Sequence, residues 1–147
     1  MTAYLEIAID KFIFKVATDR LYTSEGLWVK KYDSVACIGI TDFFQQRNGD
    51  MAFVHISAVG TELKPGDELA SVETIKVNLS LPSPVSGTIL NINNKVVTSP
   101  EFVNQHPYTD GWLCELTLNN WEKESKNLLS PHPYVELMKK QAKEKTN

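Results

Sequence analysis

The chain has 147 residues, 42% of them hydrophobic and 22% charged, which suits one soluble domain with a core that needs no disulfide staples. A net charge of −3 makes it a poor partner for a phosphate backbone, so nucleic acid is set aside. No apolar stretch approaches the length of a membrane span, and none is expected at a membrane.

The opening Met1-Thr2-Ala3-Tyr4-Leu5-Glu6 has no basic run followed by an apolar run, so a secretory signal is not expected. Residues 1–20 read as an N-terminal extension, an extra strand or a docking segment. Trp28–Tyr32 reads as a strand, Asp33-Ser34 as a turn and Val35–Ile40 as a buried strand. Thr41–Asn48 reads as a helix that ends at Gly49, with Asp42 and Gln45 spaced as a capping box. Ala52–Ile56 is the next strand, and Pro65-Gly66-Asp67 is a turn in which Pro fixes φ and Gly accepts a positive φ. Leu69–Val72 and Val77–Leu81 are strands; in the second, Val77, Leu79 and Leu81 alternate with Asn78 and Ser80. Val85–Leu90 and Trp112–Leu118 complete the sheet. Ser99-Pro100-Glu101-Phe102 suggests a short helix with a serine cap and Pro at its first position, and Pro133 suggests the start of a C-terminal helix with late lysines and a frayed tail.

Cys37 and Cys114 lie in apolar runs and read as buried, reduced thiols rather than a disulfide, which favours a cytoplasmic compartment. Phe12, Phe14, Phe43 and Phe44 read as core rather than docking surface. His55, His106 and His132 are scattered and no Cys-x-x-Cys occurs, so no metal site is expected. No glycine-rich phosphate loop or nucleophile elbow is present, so no catalytic residue is assigned and an autonomous enzyme is the weaker reading.

One reversal lacks the chemistry of a hairpin turn. Ser71–Asn78 joins two strands with Glu73, Thr74, Ile75 and Lys76, where Asn-Gly or Asp-Gly would be usual. Conflicts of this kind between local rule and fold gather at functional sites, although a plain solvated lysine accounts for the pattern as well.

The motifs around this reversal resemble the glycine cleavage H protein, a family of the lipoyl-domain superfamily. Leu21-Tyr22-Thr23 and Trp28-Val29 resemble the family's opening strand, and Val35–Asp42 resembles its "A-x-x-G-I-T-D" run. Gly49-Asp50 and Phe53-Val54 follow at the family's interval. Val72–Lys76 resembles the lipoylation site "V-E-S-V-K", and Ser83–Gly87 resembles "S-P-V-S-G". Asn91 and Asn93 match a strand end; Ser99–Asn104, Pro107-Tyr108 and Gly111–Leu113 match the closing motifs, so coverage runs over residues 21–138, leaving 139–147 as helix end and tail.

The resemblance implies a mainly β fold, a lipoyl-domain-like flattened barrel and sandwich hybrid with short peripheral helices and a C-terminal helix. It implies lipoate carried covalently on Lys76, with Glu73 as a handle for the lipoylating enzyme or a solvated turn carboxylate. It implies a close backbone approach at Gly87, opposite the lysine turn. The implied partners are a pyridoxal-phosphate glycine decarboxylase (P-type), a folate-dependent aminomethyltransferase (T-type), a dihydrolipoyl dehydrogenase (L-type) and a lipoate ligase or lipoyl synthase. The chain itself is expected to be a monomeric carrier, not an enzyme. A biotinyl carrier fits less well, because that family brackets its lysine with methionines and Lys76 has Ile75 and Val77.

The match departs at two places. The family's "E-H-E-W" is Glu25-Gly26-Leu27-Trp28 here, so its second glutamate falls on Leu27. Four residues past the lysine, Ser80 stands where the family often has aspartate. A buried amine on a loaded arm wants an anion nearby. These departures leave two alternatives beside glycine cleavage: an H-like lipoate-binding carrier in another pathway, such as heterodisulfide-reductase-like sulfur oxidation, or an unlipoylated interaction paralogue.

Overall fold

A computed structural model describes residues 2–144; Met1 and the expected frayed tail beyond Glu144 lie outside the described residues. The strands are β1 (Tyr4–Ile9), β2 (Phe12–Ala17), β3 (Leu21–Tyr22), β4 (Leu27–Tyr32), β5 (Val35–Ile40), β6 (Met51–Ile56), β7 (Glu62–Leu63), β8 (Glu68–Thr74), β9 (Asn78–Pro82), β10 (Gly87–Ile92) and β11 (Cys114–Leu118). The α-helices are α1 (Asp42–Asn48), α2 (Asn94–Thr98), α3 (Glu101–Gln105), α4 (Trp121–Glu124) and α5 (Pro131–Glu144).

The mainly β fold with peripheral helices matches expectation, but the barrel does not form. A six-stranded sheet β3-β4-β5-β11-β10-β7 and a three-stranded sheet β6-β8-β9 remain separate and open. The larger sheet ends on β3 and β7, each of two residues, too short to carry a hydrogen-bonded ladder onto the smaller one. The two sheets instead face each other over a core that includes Val29, Ile38, Leu116 and Ile89 from one and Val54, Leu69, Val72 and Leu81 from the other.

A second core covers the opposite face of the larger sheet. Along β4, Leu27 and Val29 enter the first core while Trp28 enters the second, as the two-residue side-chain period requires. The second core is completed by a β1-β2 hairpin, α1 and α5, through Phe14, Val16, Phe43, Tyr134 and Met138. Each such fully buried apolar side chain stabilises the fold by about 1.5–3 kcal/mol. The first twenty residues thus supply core: Val16 and Ala17 are fully buried, and the hairpin turns at Asp10-Lys11 with Asp10 at φ 55°. Gly39, opposite Trp28 in the β4-β5 ladder, leaves room for the indole, because a Cβ there would lie 2.3 Å from a ring carbon.

Several local expectations need correction. The cap of α1 is Thr41, whose Oγ1 accepts from the Phe44 N–H; Asp42 is not the cap. The Asp42 carboxylate instead accepts from the Lys15 backbone N–H and from the Gln45 and Gln46 side chains, tying α1 to β2. Ser99 does not cap α3 with its side chain, because it closes α2, a helix that the sequence reading missed and that Asn93 caps through the Lys95 N–H. Helix α5 starts at Pro131, two residues before Pro133. Phe14, Phe43 and Phe44 are core as expected, but Phe12 is 58% exposed, because it shares the face of Phe14 but lies at the hairpin end of β2, past the edge of the core.

Both cysteines are free thiols, and only Cys114 is fully buried; Cys37 is half-buried. They sit on adjacent strands but face opposite cores, which keeps their sulfurs apart. Burial pushes the Cys37 thiol up to about 12 and raises Cys114 as well.

Candidate functional site

The β8-β9 hairpin ends in a loop of two residues, Ile75 and Lys76, between Thr74 and Val77. Neither loop residue has a positive φ, so this is not one of the primed turns that favour Asn or Gly. Its closure comes from a side chain. The Thr74 N–H donates to the Val77 carbonyl at 2.8 Å, while Thr74 Oγ1 accepts from the N–H groups of both Lys76 and Val77 at 3.1 Å. The hydroxyl takes the place that the Thr74 carbonyl holds in an ordinary β-turn. That arrangement is compatible with β-branched Ile75, whose backbone never enters the left-handed region.

Thr74 is anchored from below, being buried and paired with Met51 on β6. The Met51 N–H in turn donates to Asn104 Oδ1, and the Asn104 amide donates to Gln45 Oε1 and the Gly49 carbonyl. The tip therefore stands on a network joining β8, β6, α1 and α3. Above it, Ile75 is 92% exposed and Lys76 is exposed. The ion pairs Arg20–Asp19, Lys30–Asp19 and Lys139–Glu136 all lie elsewhere.

Glu73 lies in the row below the tip, between Phe53 on β6 and Asn78 on β9, so the three side chains share the outer face of the sheet. A bulge at Ala52 lets both Ala52 and Phe53 face solvent, and Phe53 is 56% exposed. Glu73 and Lys76 thus belong to one rim, as the sequence grouped them.

Gly87 does not join them. It lies in the larger sheet between Leu63 of β7 and Leu118 of β11, at the end of β9 remote from the lysine. The close approach expected there is real, but the partner is β11: a Cβ at Gly87 would meet the Thr117 carbonyl oxygen at 2.3 Å. The resemblance put this approach opposite the lysine turn; the structure puts it against β11 instead, because β9 runs away from the tip before the chain crosses to the other sheet.

The two departures also find their places. Leu27 is fully buried in the first core, paired with Ile40, and lines no open cleft. The Ser80 hydroxyl donates to Glu68 Oε1 at 2.6 Å, so a carboxylate from β8 reaches that position on the outer face. No group of His, Cys, Asp and Glu able to hold a metal occurs among the described residues.

A family model described as the glycine cleavage H-protein matches residues 20–141. The chain belongs to the glycine cleavage H-protein family. Among its relatives is the probable glycine cleavage system H protein 1 of Saccharolobus solfataricus, 36% identical over 135 residues that span 91% of this chain and 97% of that protein. The glycine cleavage system H protein of Carboxydothermus hydrogenoformans is 38% identical over 126 residues, 86% of this chain and 96% of its own length. The crystal structure of a glycine cleavage system H protein from Mycobacterium marinum superposes with a TM-score of 0.73 at 27% identity, covering 82% of this chain and 96% of that one. An H-protein fold therefore underlies the Lys76 hairpin, and nothing in these matches favours the other-pathway or paralogue alternatives.

Sequence reasoning saw Lys76 and Glu73 but missed Thr74 and Phe53. The signal for Thr74 was present: a hydroxyl two residues before the lysine, in a reversal without glycine, is what a side-chain-closed turn needs. Phe53 carried no signal, because its exposure follows from a bulge that alternation does not announce.

Proposed function

We propose that this H-protein-family chain is the lipoyl carrier of a glycine cleavage system, with lipoate in amide linkage to Lys76 and no turnover of its own. One observation carries the reading: among the described residues, the lysine at the motif position stands at an exposed hairpin tip held by a rigid, hydrogen-bonded base. The residues fit such a group. An amide at Lys76 removes the side-chain charge, and no ion pair among the described residues is broken by that loss. When bound, the dithiolane supplies a disulfide for reductive group transfer and thiol–disulfide exchange.

The chain's own part is presentation. The sheet fixes the base of the arm, and the two-residue loop sets Lys76 clear of the surface so that other active sites reach it. Glu73 offers a carboxylate beside the tip for recognition by the lipoylating enzyme, a lipoate ligase or lipoyl synthase. Gly87 acts at a distance, through the scaffold that β10 and β11 give the smaller sheet. The partners in turnover are a P-type glycine decarboxylase, a T-type aminomethyltransferase and an L-type dihydrolipoyl dehydrogenase, served by a cytoplasmic monomer. No described helix is long and apolar enough to cross a membrane.

The test is glycine-dependent carboxyl exchange with a purified P-type decarboxylase. Lipoylated wild-type protein is expected to support exchange, and Lys76→Arg carried through the same lipoylation step is expected to support none. Exchange with the arginine variant, or none with lipoylated wild type, contradicts the proposal.

A further inference from the structure

The chain has thirteen lysines, and a second one stands in the same kind of place as Lys76. Lys11 is the second residue of the two-residue β1-β2 loop, exposed, directly after Asp10. An enzyme that recognised only an exposed lysine at the second position of a tight hairpin would treat the two alike. The backbones differ. The Lys11 loop is built by a left-handed residue, Asp10 at φ 55°, with Ile9 before it. The Lys76 loop has no left-handed residue and is closed by the Thr74 hydroxyl, which holds the N–H of Lys76 itself at 3.1 Å.

We infer that Thr74 is the positioning residue that selects Lys76 for lipoylation: its hydroxyl fixes the non-primed turn from which the amine is presented. The inference rests on the carrier reading above. In the modification step the neutral Lys76 amine attacks the carbonyl carbon of an acyl adenylate that the ligase makes from lipoate and ATP. A C–N bond forms, the acyl–oxygen bond to phosphate breaks, AMP leaves with the electron pair, and the amine gives up a proton to solvent. Thr74 touches none of the reacting atoms. It acts through the Lys76 backbone, as does its bond to the Val77 N–H at 3.1 Å. Two hydrogen bonds of ordinary net strength, lost together, lower the population of a surface turn by about tenfold or more.

Thr74→Val keeps the side chain's shape and burial and removes the hydroxyl; Thr74→Ser keeps the hydroxyl. In lipoylation by a purified lipoate ligase with lipoate and ATP, Thr74→Val is expected to lose about tenfold or more in kcat/KM, with Thr74→Ser restoring it. Amide hydrogen exchange at Lys76 and Val77 in the unmodified proteins should quicken by a similar factor in Thr74→Val alone, while thermal unfolding confirms that all three proteins fold. Peptide mapping of the wild-type product should place the lipoyl group on Lys76 and leave Lys11 free. If the wild type is modified and Thr74→Val is modified as fast, or if Lys11 is acylated at a rate comparable to Lys76, the inference is wrong and the carrier reading stands. If the wild type takes no lipoyl group at all, the carrier reading itself fails and this inference goes with it.

Discussion

Replacing Gly87 with alanine separates scaffold from site. The added Cβ would lie 2.3 Å from the Thr117 carbonyl oxygen and 3.3 Å from Leu116 Cβ. Backbone C–H···O contacts between strands settle at about 3.3–3.6 Å, so β10 and β11 must part by about 1 Å. Little slack exists, because Gly87 is laddered to Leu118 on one side and Leu63 on the other. Overpacking of this kind costs about 1–3 kcal/mol, and one weakened ladder bond adds about 1 kcal/mol. Gly87→Ala should therefore lose about 2–4 kcal/mol in urea unfolding at unchanged m, and melt lower by about 5–15 °C. At a temperature where it is still folded, lipoylation of Lys76 should proceed at the wild-type rate. A loss under about 0.5 kcal/mol would refute the steric argument. Normal stability with lipoylation abolished would move Gly87 from the scaffold into the recognition site.

Other expectations concern side chains away from the hairpin tip. Asp42→Ala should destabilise more than Thr41→Ala, for which loss of a cap predicts about 1 kcal/mol, because the Asp42 carboxylate accepts three hydrogen bonds, one of them from the Lys15 N–H that joins α1 to β2; equal losses in chemical denaturation would contradict that role. Cys37 and Cys114 should resist a thiol-specific disulfide reagent at pH 8 until the protein is unfolded, since burial holds both thiols protonated; fast labelling of the native protein would contradict this. Burial alone would raise the Asp19 carboxyl, but hydrogen bonds from Arg20, Thr2 and Lys30 outweigh it and hold the group well below the usual carboxylate range. A depressed folded-state pKa gives stability that is present above the unfolded value near 3.9 and lost as pH falls below it. Asp19→Asn should thus flatten the acid limb of a stability–pH curve, and a wild-type acid limb in the variant would contradict the assignment.

The elements read most readily from sequence were those whose burial is one-sided. Val77–Leu81 alternates as its position demands, with Leu79 and Leu81 inward and Asn78 and Ser80 outward. Pro65-Gly66-Asp67 turns as expected, with Gly66 at φ 96° and Asp67 Oδ2 accepting from the Lys64 N–H. The N-terminal residues were read as an extra strand or a docking segment, and their part in the core was not legible, although Leu5, Ile7 and Ile9 alternate on β1, because the layer they complete is assembled from residues more than a hundred positions away in α5. The cap of α1 was misread because two adjacent residues, Thr41 and Asp42, both suit the role, and tertiary partners decided which one took it. At the site, the resemblance to the family's lipoylation motif pointed to Lys76 and Glu73, whereas the fold alone tells that Leu27 is sealed in the core and that Gly87 belongs to the other sheet.

The most direct test is tandem mass spectrometry of the protein purified from its native host. A lipoyl increment localised to Lys76, and missing from a Lys76→Arg strain, is the predicted result. An unmodified Lys76 in cells actively using glycine, or a lipoyl group on any other lysine, would contradict the account.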